Sequence, residues 1–485
     1  MSSITRRGLI ASAAVTSVGS SAAAQGRTSP SARLLPNIIF FVADDMGYAD
    51  LSCYGQADIA TPHIDRIAAG GVRFTQGYAN SAVCSATRTA LITGRYQYRL
   101  PVGLEEPISA GSVNSPGLPP SHPTLPSLLK ARGYGTTLLG KWHLGGLPEF
   151  SPLKSGYDHF WGFRSGGIDY FTHRNLAQKD DLWDGDMPVL QTGYMTDLIG
   201  DRAVTTVSDY AKSATPFFLS VHFNAPHWPW EAVDDQAESE RLRTSSLQHF
   251  DGGSHKTYRR MIERMDMQVG RVLQALDQAG AADNTIVIFT SDNGGERFSD
   301  TWPFTGRKTE LLEGGLRIPM IVRWPARLPQ GVVSEQVGIS MDWLPTLLAA
   351  AGGAPDPAYP VDGMDLLPHL AGSTPPVSRR LFWRYKANHQ RAARDGNWKI
   401  LKIADSSFLF DVVEDPMERA NLRERHRDVY DRMVTEWDKW NHDMLPEVRE
   451  SFTEGFTAAQ LADHIGAKAV SREPDPYPGW PESSR

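Results

Sequence analysis

Asp44, Asp45, Asp292 and Asn293 offer three carboxylates and one amide carbonyl, a donor set made only of oxygen. Hard donors of this kind suit Ca2+ or Mg2+ rather than zinc or copper. Without a cation, three clustered carboxylates would repel and raise one another's pKa, a strain that a divalent ion relieves. Arg88, Lys141, Lys308, His143 and His227 are the cations and proton carriers able to surround a tetrahedral anion. Together the two sets read as a metal-assisted site for a sulfate or phosphate ester, where fixed positive charge meets the charge of the reacting group. Singly, each has a plainer role: Asp44 and Asp45 as capping acids in a loop, Arg88 and Lys308 as solvated charges, a histidine as a structural hydrogen-bonder. A zinc site on His222 and His227 has no third soft ligand nearby in the sequence. Cys84 is one of two cysteines, and a disulfide with Cys53 is open to it by spacing. Two thiols cannot staple a chain of 485 residues, however, and such a chain needs no staple.

The placing of these residues carries the argument. Residues 37–43 form a continuous apolar, β-rich run, as in a strand buried on both faces of a parallel sheet. Further strands are expected at 136–140, 216–223, 285–290 and 319–324. The first run ends in Asp44-Asp45, the second in Lys141-Trp142-His143, the third in His222 to His227, and the fourth in Ser291-Asp292-Asn293-Gly294. In open parallel sheets the ligand crevice lies outside the carboxyl ends of the strands, so four strands deliver chemistry to one rim. Lys141 and His143, two apart, are expected on the same side of extended backbone. Helices are expected from Thr61-Pro62, after Cys84, near 124–130 and over 256–278, where Met261, Met265, Val269, Val272 and Leu276 recur at helical spacing. The alternation gives an α/β fold with helices on both faces of the sheet. Beyond residues 375–378 the pattern changes to runs at 381–385, 392–403 and 408–413, the middle one broken by Asp395-Gly396-Asn397. Asp-Gly is a tight-turn signal, so a small antiparallel sheet follows, with a helix over 424–440 packed on it.

Composition narrows the class. The chain holds 49 basic and 56 acidic residues, and no basic tract interleaved with aromatics, which argues against a nucleic-acid partner. Thr5-Arg6-Arg7-Gly8-Leu9-Ile10 followed by an Ala/Ser/Val stretch and Ala22-Ala23-Ala24 reads as a twin-arginine export signal, with an ordinary secretory signal as the alternative. No later apolar run is long enough to span a membrane. The expected organisation is a signal at 1–24, a linker at 25–35, a catalytic domain at 36–373 and a C-terminal α+β subdomain with a polar tail at 374–485, placing the mature protein in the periplasm or outside the cell. Trp161, Trp183, Trp228 and Trp230 lie in candidate rim segments suited to stacking sugar rings, though burial in the core is the favoured reading for any one of them.

Cys84-Ser85-Ala86-Thr87-Arg88 fits the pattern C-x-[P/A]-x-R, and Leu91-Ile92-Thr93-Gly94-Arg95 continues it as L-x-T-G-R. With Gly140 to Gly145, Ala225-Pro226-His227, Ser291 to Gly294, Glu313 to Arg317 and Leu409-Phe410-Asp411, these blocks make the chain resemble the type I sulfatases, the formylglycine-dependent branch of the alkaline-phosphatase-like superfamily. The resemblance runs from Pro36 to about Trp440. It implies that a formylglycine-generating enzyme oxidises Cys84 to an aldehyde, whose hydrate attacks sulfur beside a Ca2+ held by Asp44, Asp45, Asp292 and Asn293 together with residue 84. It further implies that Arg88 steadies that hydrate, Lys141 and Lys308 hold sulfate oxygens, His227 gives a proton to the leaving group with help from Lys308, and His143 takes one from the hydrate. Ala86 and Thr87 depart from the commoner Pro and from Ser or Ala. The substrate expected is an aryl or carbohydrate sulfate, with sulfated saccharides favoured. Two rivals share the pocket: a phosphonate monoester hydrolase or phosphodiesterase, and a catalytically silent metal- or anion-binding homologue.

Overall fold

The computed structural model describes residues 35–108, 116–213, 215–245 and 251–447. The segment read as an export signal, most of the expected linker and the expected polar tail lie outside the described residues. Within them, ten strands form one sheet in the order Val332–Ser334, Val72–Phe74, Met320–Arg323, Thr285–Ser291, Asn37–Ala43, Phe217–His222, Gly135–Lys141, His159–Phe163, Trp183–Asp184, Met187–Pro188. The five strands from Thr285–Ser291 to His159–Phe163 are mutually parallel. Met320–Arg323, the fifth strand expected from sequence, is present but runs antiparallel to Thr285–Ser291.

Alternation along the central strands feeds two cores. Ile39, Phe41, Leu219, Val221, Val287 and Phe289 pack against helices Pro62–Ala69, Met195–Ala211 and His255–Gln278. Ile38, Phe40, Val42, Phe218 and Ile288 face Cys84–Thr93, Leu125–Lys130 and Trp343–Ala350 on the other side. Both faces are therefore covered, which is why these strands read as continuous apolar runs. Thr61 does precede the helix Pro62–Ala69, but its hydroxyl bonds Asp65 and Ser52 rather than a helical N–H. Of the elements without a clear sequence signal, two stand out. His159–Phe163 is short and holds Gly162, and Met195–Ala211 is rich in Thr, Ser, Asp and β-branched residues, poor helix formers held here by packing. Gly200 in that helix lets it approach His255–Gln278, since a Cβ there would meet the Gln268 side chain at 2.3 Å.

Arg380–Tyr385, Gln390–Asp395, Trp398–Ile403 and Ser406–Asp411 form the small antiparallel sheet expected at the C-terminal end. Gly396 supplies the positive φ of its tight turn. Helix Arg427–His442 covers it through Tyr430, Met433, Val434 and Trp437, which meet Ala393, Ile400 and Leu409. Lys399 Nζ of this sheet reaches Glu313 Oε1 at 2.9 Å with both side chains fully buried, and Arg317 binds the same carboxylate. An ion pair so buried is costly to break from one side. It ties the small sheet to the segment that follows Lys308.

Candidate active site

All ten residues singled out from sequence converge at the carboxyl ends of the parallel strands, and all are buried. Asp44 and Asp45 follow Asn37–Ala43, Lys141 ends Gly135–Lys141, and Asp292 and Asn293 follow Thr285–Ser291. Cys84 is the first residue of the helix Cys84–Thr93 and Arg88 lies one turn on, so the two share a helix face. Lys308 comes from the loop after Asn293, its position fixed by an N–H bond to Gly295 O.

Each buried carboxylate has its own cation. Lys141 Nζ lies 2.6 Å from Asp44 Oδ2, Lys308 Nζ lies 2.6 Å from Asp45 Oδ2, and Arg88 donates to Asp292 Oδ2 from Nε and Nη2 at 3.0 and 2.8 Å. Burial raises the Asp44 carboxyl well above its ordinary range despite Lys141. At Asp45 burial pulls the same way, but Lys308 and then His227 outweigh it and hold the carboxyl low. Asp45 and Lys308 form a strong charged pair, and the same partner raises Lys308 against its own desolvation.

Two oxygens of the four candidate metal ligands remain unused. Asp44 Oδ1 and Asn293 Oδ1 are buried without a hydrogen-bond partner. Asn293 Nδ2 is committed to Asp45 Oδ1 at 2.8 Å, which turns its carbonyl oxygen elsewhere. Ligand atoms of Asp44, Cys84 and Asp292 lie within 4.8 Å of one another, as do those of Asp44, Asp45 and His227. Orphaned buried oxygens are expensive unless something binds them, and the donors are hard, so the residues fit a divalent cation such as Ca2+. The zinc alternative fails: His222 Nδ1 takes a contact from Arg88 Nη1 at 3.1 Å, whereas His227 faces Asp45.

Backbone carbonyls with no signature in the sequence set the histidine tautomers. His143 Nε2 lies 2.9 Å from Ile108 O, so it carries the proton, leaving Nδ1 to accept from Cys84 Sγ at 3.3 Å. His227 Nδ1 lies 2.6 Å from Trp228 O, which leaves Nε2 facing Asp45 Oδ2 at 3.5 Å. Burial drives the proton affinity of both rings down, opposed at His227 by Asp45. Strand alternation does not bring His143 to the site as expected. It turns in at a φ of 55° while Trp142 goes into the core, and Asp45 has a φ of 63°. Left-handed non-glycine residues cost on the order of 1 kcal/mol or more and gather at functional sites. Cys53 and Cys84 are both free thiols, so the disulfide is not formed. Trp161 and Trp230 are core residues, whereas Trp183 and Trp228 are half-buried.

Behind the strand end, Tyr170 OH donates to both Asn224 O and His227 O at 2.9 Å. Glu231 Oε2 accepts from Tyr170 N, and its carboxyl is pushed up to about 10 by burial and then by the charge of Asp169. Glu231 is therefore protonated at neutral pH. A raised folded pKa contributes stability that is complete below the unfolded value near 4.5 and is lost as pH climbs toward 10. Glu231→Gln keeps the shape and the neutral state without that penalty. It is expected to unfold about 1–3 kcal/mol harder than wild type at pH 8, the difference vanishing near pH 4.5. Urea titrations at the two pH values check this, and equal curves at pH 8 would mean that Glu231 is ionised in the native state.

Known proteins resemble this chain in sequence and fold. The family model described as Sulfatase matches residues 36–354, and that of the N-sulphoglucosamine sulphohydrolase C-terminal region matches 306–442. N-acetylgalactosamine-6-sulfatase of Canis lupus familiaris is 33% identical over 387 residues, 75% of this chain and 71% of that one. The crystal structure of Ps i-CgsB in complex with k-i-k-neocarrahexaose is 30% identical, covers 89% of this chain and 98% of its own, and superposes with a TM-score of 0.77. The phosphonate monoester hydrolase of Agrobacterium radiobacter shares the fold at 22% identity and a TM-score of 0.60. With its buried acid, cation and cysteine constellation at the strand ends, this chain belongs to the sulfatase family and is a sulfuric ester hydrolase on the alkaline-phosphatase-like fold.

Proposed function

We propose that the protein hydrolyses a sulfated saccharide, using residue 84 as formylglycine and one hard divalent cation, Ca2+ first and Mg2+ second. The observation that carries the reading is Cys84 among three cation-paired carboxylates, with Asp44 Oδ1 and Asn293 Oδ1 left over. Asp44, Asp45, Asp292 and Asn293 would hold the ion together with residue 84. Bound there, the ion supplies positive charge that favours a deprotonated oxygen nucleophile and steadies the ester. Formylglycine supplies the hydrated aldehyde, whose hydroxyl a thiol cannot replace. The three buried acid–cation pairs balance one another. Even with Glu296, 3.7 Å from Lys308, counted against it, a divalent ion leaves the cluster net positive, the sign an anionic ester requires.

The chain's own groups then divide the work. Lys141 and Lys308, held by Asp44 and Asp45, present ammonium groups to the sulfate oxygens. Arg88 is locked between Asp292 and His222 and orients residue 84 from one helical turn below. His143 Nδ1, a free acceptor beside residue 84, is the base that takes a proton from it. His227 Nε2 faces the side of the departing alcohol and is the group placed to pass it a proton; burial holds the ring's proton affinity well below its ordinary value, and Asp45 opposes that only in part. Maturation by a formylglycine-generating enzyme and twin-arginine export to the periplasm belong to the same reading. Among the described residues no helix is long and apolar enough to cross a membrane. The saccharide preference draws on the relative seen with k-i-k-neocarrahexaose.

The test is a comparison of kcat/KM across sulfated mono- and oligosaccharides, an aryl sulfate and a phosphonate monoester. Saccharide sulfates are expected to lead. A higher value for the phosphonate monoester would replace the reading with that of a phosphonate hydrolase, and turnover of none would leave the silent homologue.

A further inference from the structure

Asn224 belongs to no set considered so far, yet its side chain is 2% exposed and neither Nδ2 nor Oδ1 has a hydrogen-bond partner. A buried amide with both ends unsatisfied costs several times what a single net hydrogen bond contributes, so it calls for a ligand. Its place in the fold says which one. Phe217, Leu219, Val221, Phe223 and Ala225 all enter one core, while Phe218 enters the other and His222 meets Arg88. Alternation therefore puts Asn224 on the face of the helix that begins at Cys84.

Register fixes its height. Val42 pairs with His222 on one side and Gly140 pairs with His222 on the other, so Asn224, two residues further on, lies just beyond the paired ends of both neighbouring strands. The bonds from Phe223 N to Val42 O at 2.9 Å and from Asp44 N to Ala225 O at 3.0 Å bracket Asn224 against the segment Val42 to Asp44, with the register shifted by two residues between them. Neighbouring strands lie about 5 Å apart. Asn224 thus lies beside Asp44, and His222, two residues before it, meets Lys141 O at 3.1 Å, which puts Asn224 at the edge of the pocket that receives the anion. Lys141 and Lys308 are each tied to a carboxylate there, and Asn293 Nδ2 is spent on Asp45. A neutral N–H donor without a partner remains on Asn224, and a half-turn of the amide brings it to either side.

We infer that Asn224 Nδ2 donates a hydrogen bond to an oxygen of the sulfate group, making it a further substrate-binding residue common to all ester substrates. The inference rests on sulfate-ester hydrolysis but not on the identity of the alcohol. Asn224→Leu removes both polar ends at similar volume, and Asn224→Ser serves if the leucine variant does not fold. Intact mass establishes equal conversion of residue 84 in each variant, and calorimetry with Ca2+ measures metal binding. The expected result is a loss of about 10- to 100-fold in kcat/KM, the range of one hydrogen bond to a charged group. That loss should be equal for an aryl sulfate and a saccharide sulfate, with a matching rise in the inhibition constant of inorganic sulfate and unchanged Ca2+ affinity. A loss confined to the saccharide ester would assign Asn224 to the alcohol instead. Weakened Ca2+ binding would make it part of the metal site, and unchanged kinetics would leave it bonded to water. Each of these three results overturns the inference. Wild type inactive on every sulfate ester, yet binding inorganic sulfate in calorimetry with an affinity that Asn224→Leu lowers, would instead overturn the catalytic reading alone.

Discussion

Cys84→Ala is expected to lower kcat on every sulfate ester roughly 100,000-fold, the scale of deleting a covalent nucleophile. The thermal transition should stay close to that of wild type, because a single sulfur leaves a small buried site. Cys84→Ser should be equally inactive, since an alcohol supplies no aldehyde. The structure also indicates why the unmodified thiol cannot do the work. Burial raises the Cys84 thiol above its ordinary value, and Asp292 and Asp44 oppose the help of Lys141 and Lys308. The residue is therefore a neutral thiol at neutral pH, and the thiolate is what attacks. Peptide mass spectrometry reads the alternative directly: conversion makes the residue-84 peptide about 18 Da lighter than the thiol form. Full activity in a preparation whose residue 84 is intact cysteine would end the formylglycine mechanism.

Lys141→Met should cost both stability and turnover, and the two losses should respond differently to metal. Lys141 Nζ and Asp44 Oδ2 lie 2.6 Å apart with neither side chain exposed. Removing the ammonium strands a buried carboxylate, at about 3–5 kcal/mol. Burial already raises the Asp44 carboxyl, so without its partner it takes up a proton. A bound divalent cation neutralises the same carboxylate, and saturating Ca2+ should recover part of the stability. Turnover should not recover, because no ammonium then meets the sulfate oxygens. The expected loss in kcat/KM is about 100- to 1000-fold, as for other deleted electrostatic donors. Urea unfolding with Ca2+ and with a chelator, beside steady-state kinetics, separates the two effects. A stability deficit indifferent to Ca2+ would take Asp44 out of the metal site.

How much could be read without coordinates depended on whether the signal was local. The central strands are apolar runs because both faces are covered, so 37–43 and 285–290 were legible nearly to the residue. His159–Phe163 and Met195–Ala211 were not, because neighbours rather than propensity hold them in place. The direction of Met320–Arg323 was equally hidden, since strand polarity is a property of the pair.

The same division runs through the active site. By itself the sequence determined which chemical groups end the strands: the acids, the amide, Lys141, and the Cys84 to Arg88 spacing that shares a helix face. Strand ends are local, and alternation carries their side chains to one rim. Tertiary structure alone decided which carboxylate each cation neutralises and which oxygens stay free. It also set the tautomers of His143 and His227, through the carbonyls of Ile108 and Trp228. It exposed Asn224, a residue of unremarkable type whose meaning comes from lacking a partner. Those properties depend on distances between segments up to 263 positions apart, as Asp45 and Lys308 are, and on burial. A carbonyl has no side-chain identity for a sequence to display, and desolvation exists only once the chain has closed around the group.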